Sequence, residues 1–348
     1  MTQLPHANAF TAAQIFLAPM EGLTDFYMRD VLTRMGSYDA CVTEFIRVTD
    51  RLHPARVFYR ACPELRTACR TAAGTLVHVQ LLGSEPSVLA DNAALAAELG
   101  APSIDLNFGC PAKTVNRHRG GAVLLDEPHV VQAIVAAVRR AVPAHIPVTA
   151  KMRLGVNDRE YMLDNALGIE AAGADALVVH ARTKADGYRP PAHWEAIAEI
   201  RAAVKLPVMA NGEIWSEEDA RRCREISGCN DLMLGRGAVT DPALVNRLQG
   251  ADSVLDWAAL AHWQEQFLMA MVDAGSQPDE ERFGAVWTEP GAIGRYKQWL
   301  AMLTRSRPEA RALFALIKSM TRLHDVRQAL QASVTPAASA SEERSNAG

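Results

Sequence analysis

Short apolar runs rich in β-branched residues recur through the first two-thirds of the chain, at 15–18, 40–43, 76–82, 103–106, 147–152, 176–179, 207–210 and 231–234. Runs this short and this apolar read as strands covered on both faces, the condition of a parallel sheet. Between most of them lie Ala-rich amphipathic stretches with helical spacing, clearest at 87–99, 128–141, 160–172, 193–204 and 216–226. Ser216 followed by Asp219 matches an N-terminal capping arrangement, with an acidic residue in place of the usual Glu. Strands and helices alternating eight times predict an α/β chain whose sheet closes as a (β/α)8 TIM barrel. An open doubly wound sheet is the alternative. It usually carries a glycine-rich dinucleotide turn after its first strand, and here that turn reads Pro19-Met20-Glu21-Gly22.

Around 250–252 the alternation stops. The remaining pattern is helical, broken at 275–278 and at Pro290-Gly291, and holds Trp257, Trp263, Trp287 and Trp299. The expected organisation is a flexible extension over 1–13, a barrel over 14–250, a small all-α bundle of four helices over 251–332, and a disordered Ala/Ser/Pro-rich tail over 333–348. No apolar run reaches the roughly 18 residues of a membrane span, and the N-terminus lacks the basic start and apolar stretch of a secretory signal. Six dispersed cysteines without a C-x-x-C pair read as reduced thiols in the cytoplasm, with no structural zinc. The ten histidines form no H-x-x-x-H or H-E-x-x-H, so no metal is expected.

The net charge of −4 hides an asymmetry. Residues 251–290 carry eight acids and one base, Arg282; residues 291–330 carry eight bases and two acids. That contrast suits either a basic face for a polyanion or an ordinary solvated helix surface.

Chemistry in a barrel collects at the C-terminal ends of its strands. The runs here end in Pro19-Met20-Glu21, Glu44, Gln80, Asn107, Lys151 with Arg153, His180 with Arg182, Asn211-Gly212-Glu213, and Gly235-Arg236-Gly237. Each alone has a bland reading as an ion-pair partner or a satisfied core residue. Together they favour a site. The last two ends would expose backbone N–H groups beside Arg236, the usual place in this fold for a phosphate. Lys151 would stabilise an anionic reduced flavin, and Gln80 would bond the polar edge of its ring. The set expected to hold FMN is therefore Pro19, Met20, Glu21, Gln80, Lys151, His180, Asn211, Gly212, Glu213, Gly235 and Arg236.

The fourth run leads into Asn107-Phe108-Gly109-Cys110-Pro111, followed by Gly120-Gly121-Ala122. This motif, together with L-A-P-M-E-G, K-M-R-L-G, H-A-R-T, N-G-E and G-R-G-A, resembles the tRNA-dihydrouridine synthases over about residues 15–318. Thr43-Glu44-Phe45-Ile46-Arg47-Val48, Val79-Gln80-Leu81-Leu82-Gly83 and Arg295-x-Lys297-Gln298-Trp299-Leu300 are most similar to the bacterial C-type members, which modify uridine 16 of the D loop. Phe108 departs from that pattern, where relatives often have a small or sulfur-containing residue.

The resemblance implies reduction of the uracil C5=C6 bond, with hydride passing from FMN N5 to C6 and a proton from Cys110 to C5. NADPH or NADH would re-reduce the flavin. A thiol with a pKa of roughly 8.5 is mostly protonated at neutral pH and can donate. The resemblance further implies tRNA contacts from Arg47, Asn107, Arg153, Arg295, Lys297 and Lys318. Lys113, Arg117 and Arg119 are added because they flank the cysteine loop. The chain is expected to act as a monomer. Two rival readings stand beside this one: a dihydroorotate dehydrogenase-like FMN barrel, and a non-catalytic tRNA-binding protein.

Overall fold

Parallel pairing carries the architecture of the computed structural model, which describes residues 13–276 and 287–334. The strands are β1 (Ile15–Leu17), β2 (Ala40–Val42), β3 (Ile46–Arg47), β4 (Leu76–Leu82), β5 (Ile104–Phe108), β6 (Val148–Arg153), β7 (Ala176–His180), β8 (Val208–Asn211) and β9 (Leu232–Leu234). All except β3 match the expected runs. β4 through β9 pair in sequence, β9 pairs with β1, β1 with β2, and β2 with β4, so eight strands close on themselves. β3 was not anticipated. Its two residues pair only with the far end of β4, Ile46 opposite Leu81 and Arg47 opposite Leu82. Two residues are too few to give a periodic signal.

Side-chain alternation along a strand sends neighbouring residues to different apolar clusters. Leu177 and Val179 of β7 join the large apolar cluster under the helices, whereas Val178 joins Ala18, Val42, Met209 and Met233 in a small one. The small cluster fills the barrel interior, so the barrel is a packed plug with an open top.

Helix starts follow local chemistry. The Asp25 carboxylate accepts from Met28 N–H at 3.0 Å and caps the helix Phe26–Met35. Ser216 Oγ accepts from Asp219 N–H at 3.1 Å, and the Asp219 carboxylate accepts in return from Trp215 N–H at 3.0 Å. Glu217–Ser227 thus begins on the expected cap and ends at Gly228 in the left-handed region (φ 69°).

Among the described residues, four helices follow position 251: Trp257–Ser276, Glu289–Leu303, Pro308–Ile317 and Leu323–Ala332. Pro290-Gly291, expected as a break, lies in the first turn of the second helix, where proline needs no N–H partner and Thr288 Oγ1 accepts from Gly291 N–H. Much of the expected break at 275–278, the extension at 1–12 and positions 335–348 lie outside the described residues. Ser333, assigned to the tail, accepts from Trp257 Nε1 at 3.0 Å and so packs with the helices. Fully buried Trp299 stacks edge-on to Phe267 and donates from Nε1 to the Val239 carbonyl at 3.2 Å, which joins these helices to the barrel. No described helix is long and apolar enough to cross a membrane.

Candidate active site

A cavity of about 560 Å³ occupies the mouth formed by the C-terminal strand ends. Every strand-end residue singled out above lines it, from Pro19 on β1's loop to Arg236 after β9. Gln80 and Lys151 sit inside β4 and β6, as they do in the apolar runs 76–82 and 147–152, and Asn107 sits inside β5, which runs to Phe108 rather than stopping at 106. Sequence reasoning missed Phe45, Tyr188, Trp215 and Gln298, which also line the cavity. Tyr188 and Trp215 are aromatic residues in loops after strand ends, and that position was their available signal.

The floor is a hydrogen-bonded chain. Thr149 Oγ1 and Gln80 Nε2 both donate to the buried Asp105 carboxylate at 2.6 Å, and Asn107 Nδ2 donates to Gln80 Oε1 at 2.7 Å. Gln80 Nε2 carries two hydrogens, of which the bond to Asp105 uses one. Lys151 Nζ donates to Asn211 Oδ1 at 3.2 Å, and Asn211 Nδ2 donates to the Met233 carbonyl at 2.8 Å. Burial, followed by nearby Arg153, lowers the Lys151 pKa to about 8. The residue therefore still carries its charge at neutral pH.

Cys110 is shaped by its loop. Asn107 Oδ1 accepts from both Gly109 N–H and Cys110 N–H at 2.9 Å. Asn116 Nδ2 donates to the Cys110 and Gly120 carbonyls, each at 2.9 Å, closing the loop from the other side. Gly121 (φ 69°) is required there, since a Cβ would lie 2.8 Å from the Cys110 carbonyl oxygen. Burial pushes the Cys110 thiol above its ordinary value, which keeps it protonated at neutral pH. Phe108 is 1% exposed and packs into the large core, pointing away from the cavity.

The opposite wall is bare backbone. At Gly212 (φ 119°) a Cβ would meet His180 Cδ2 at 2.8 Å, and at Gly237 it would fall inside the Ile214 carbonyl oxygen. Glu213 holds a left-handed conformation (φ 58°) while its carboxylate accepts from Arg182 and from Trp215 Nε1. Burial opposes its charge, but those two partners hold the carboxyl below its ordinary range. Its side chain is committed to the protein, leaving the backbone for a ligand. Arg236 lies 4.9 Å from the Tyr188 ring centroid and 5.0 Å from that of Trp215. Burial, then the neighbouring cations Arg153, Lys151 and Arg182, lower the His180 pKa, so its ring is neutral. Glu44 accepts from Gly22 N–H at 2.5 Å; burial, then Asp25 and Glu21, raise its pKa to about 7. These features fit FMN: a volume within the roughly 300–1,000 Å³ of small-molecule sites, glycines at 212 and 237 that admit no side chain, and the Lys151 cation bonded to neighbouring Asn211.

The residues expected to contact RNA fall into two groups. Arg47, Lys297 and Lys318 lie outside this cavity, with Lys318 exposed. Lys297 Nζ donates to the Lys318 and Met320 carbonyls at 3.1 and 2.5 Å. Three others have internal tasks. Arg295 is 6% exposed and donates to the Asp25 carboxylate, to the Gly22 and Leu23 carbonyls and to Gln298. Arg153, 1% exposed, donates to the Gly109, Thr183 and Gly187 carbonyls at 2.8, 2.9 and 2.9 Å. Asn107 shapes the Cys110 turn. Charge and motif position suggested solvent-facing roles for them, but buried guanidinium and amide donors are drawn to carbonyls that sequence does not locate.

The dihydrouridine synthase (Dus) family pattern matches residues 16–276. The tRNA-dihydrouridine(16) synthase of Pseudomonas putida is 56% identical over 305 residues, covering 88% of this chain and 92% of its own. The protein of the same name from Cupriavidus necator is 49% identical over 323 residues, covering 92% and 97%. Among solved structures, a 2-naphthoyl-CoA reductase superposes with a TM-score of 0.52 at 12% identity, over 67% of this chain and 50% of its own, a likeness of fold. Barrel and family match together define a TIM-barrel oxidoreductase. The chain belongs to the dihydrouridine synthase family.

Proposed function

We propose that the protein reduces the C5=C6 bond of uridine 16 in the tRNA D loop to 5,6-dihydrouridine, with FMN as cofactor and NADPH or NADH as reductant. The observation that carries this reading is Cys110 lining the same cavity as Lys151 and the glycine-lined cradle at 212 and 235–237, with burial pushing its thiol pKa up. Pro19, Met20, Glu21, Gln80, Lys151, His180, Asn211, Gly212, Glu213, Gly235 and Arg236 would hold the cofactor, the cradle and Arg236 taking its phosphate. Bound and reduced, the flavin supplies hydride to C6.

The chain's own work is to place and protonate. Asn107 and Arg153 fix the loop, so the Cys110 thiol meets C5; its S–H bond breaks as the C5–H bond forms, and solvent restores the proton. Lys151 contributes a cation beside the reduced ring. The target base leaves the folded tRNA to enter the mouth. Residues 14–250 act as the FMN-binding unit and 251–332 as the tRNA-binding unit. Exposed Arg305, Arg311, Lys318 and Arg322, with Arg47 on the barrel, offer charge for phosphates. The setting is a cytoplasmic monomer.

The test is to map dihydrouridine in tRNA from a strain lacking the gene, then restore it with wild-type or Cys110→Ala protein. Wild type should return dihydrouridine at position 16; Cys110→Ala should keep flavin and tRNA but form none. Full turnover by Cys110→Ala removes the thiol from the chemistry. Turnover of dihydroorotate with tRNA ignored overturns the reading.

A further inference from the structure

The loop that carries Cys110 also helps build a second hollow, of about 470 Å³, which shares no lining residue with the cavity at the barrel mouth. Three segments enclose it: residues 47–50 beginning at β3, residues 82–84 leaving β4, and residues 115–120 of the cysteine loop. Arg47, Arg117, His118 and Arg119 line it against one carboxylate, Asp50, which accepts from Thr49 Oγ1 at 3.0 Å. Arg119 is tied to Glu127 at 2.7 Å. The guanidinium groups of Arg47 and Arg117 have no hydrogen-bond or ion-pair partner among the described residues. Two unpaired guanidiniums entering one hollow from different segments form an arrangement that a phosphate satisfies.

The hollow is mechanically joined to the thiol. Its apolar floor residues Leu82 and Val115 form one packed cluster with Cys110, against Phe45. Gly120 fits closely there, since a Cβ would lie 2.9 Å from Leu82 Cδ2. With Asn116 bridging the Cys110 and Gly120 carbonyls, residues 110–121 close into one ring that carries both Arg117 and Cys110.

We infer that this hollow is a phosphate subsite for the backbone of the substrate RNA, and that Arg117 is a positioning residue whose phosphate contact fastens the Cys110 loop when tRNA is bound. The inference rests on the tRNA reading above.

The experiment compares wild type, Arg117→Ala and Arg117→Lys, all with bound flavin. Arg117 is exposed and unpartnered, so the variants should fold, as circular dichroism will verify. For Arg117→Ala, tRNA affinity should fall roughly tenfold and the slope of log affinity against log salt should shrink by about 0.7–0.9, the effect of one lost phosphate contact. At saturating tRNA its kcat should also fall severalfold, while the rate of flavin reduction by NADPH stays unchanged. Arg117→Lys should recover most of the affinity but less of kcat, because a point charge holds a phosphate with less directional control. Unchanged affinity and slope in Arg117→Ala would overturn the inference. So would a defect confined to NADPH, which would assign the hollow to the dinucleotide's phosphate. Wild-type protein that binds tRNA but forms no dihydrouridine would sink the functional reading while leaving the binding measurements to judge the subsite.

Discussion

Arg295→Ala separates a structural arginine from an RNA-binding one. The side chain enters the loop after β1 from the helix Glu289–Leu303. It donates to the Leu23 carbonyl at 2.9 Å and the Gly22 carbonyl at 3.1 Å, and pairs with Asp25 at 3.1 Å. Removing it does not orphan every partner. Gly22 keeps Gln298 Nε2 at 3.0 Å, and Asp25 keeps its capping bond from Met28 N–H. Leu23 loses its guanidinium donor, at a cost of about 1–3 kcal/mol for a buried unsatisfied carbonyl. Breaking a buried ion pair outright costs about 3–5 kcal/mol, and the retained cap places Asp25 at the low end of that range. Together the expected loss is about 4–5 kcal/mol, a fall in Tm of roughly 5–7 °C for a chain this long. Differential scanning calorimetry reads the loss, and tRNA titration at several salt concentrations reads the contact. A lower Tm with the salt slope intact is expected. An unchanged Tm with a slope reduced by about 0.7–0.9 would refute the reasoning and return Arg295 to the RNA surface.

Three further outcomes follow from the same geometry. Gly237→Ala drives a methyl into the Ile214 carbonyl, so the cradle must shift and flavin affinity should drop at least tenfold by fluorescence titration; normal flavin content would rule the cradle out. Arg153→Met should lower kcat by roughly 10- to 100-fold through a loosened Cys110 loop, with tRNA affinity and salt slope unchanged; the opposite pattern would make Arg153 an RNA contact. Glu44 has a pKa of about 7 in the folded state, above its ordinary value of 4.5, so the folded protein holds a proton that the unfolded chain releases. Its contribution to stability is therefore full below pH 4.5 or so and is lost as pH rises through about 7. Glu44→Gln should flatten that decline in urea unfolding at pH 5 and pH 8, and an unchanged difference between the two would show that Glu44 titrates normally.

The barrel and the roster of its mouth were legible because each depends on one local rule. Buried parallel strands read as apolar runs, and a polar residue at the end of such a run has a mouth to face. Lys151, Asn211 and Gly212 follow from that rule. The directions of Arg153, Arg295 and Asn107 do not. A guanidinium's charge is written in the sequence, but whether it meets water or the Gly109 carbonyl depends on how residues 44 apart come together. Tyr188 and Trp215 escaped for a related reason: an aromatic in a loop carries no periodicity, and only the folded loop brings it to the cavity. The two-residue β3, too short for any pattern, brings Arg47 to the rim of the second hollow.

Gln298 gives the cavity a wall that the barrel does not own. It projects from the helix Glu289–Leu303, lines the mouth and donates to the Gly22 carbonyl at 3.0 Å. Trp215, on the barrel, lies between Arg236 at 5.0 Å and Arg305, which follows that same helix, at 3.9 Å. The two parts are consequently poor candidates for modular exchange. A chimaera that grafts another relative's C-terminal helices onto this barrel, in order to redirect it to a different nucleotide, would also rewrite part of the cavity at the barrel mouth. Such a graft should succeed only when the loop at 19–25 and Trp215 travel with the helices, so the two segments are expected to be inherited as one unit.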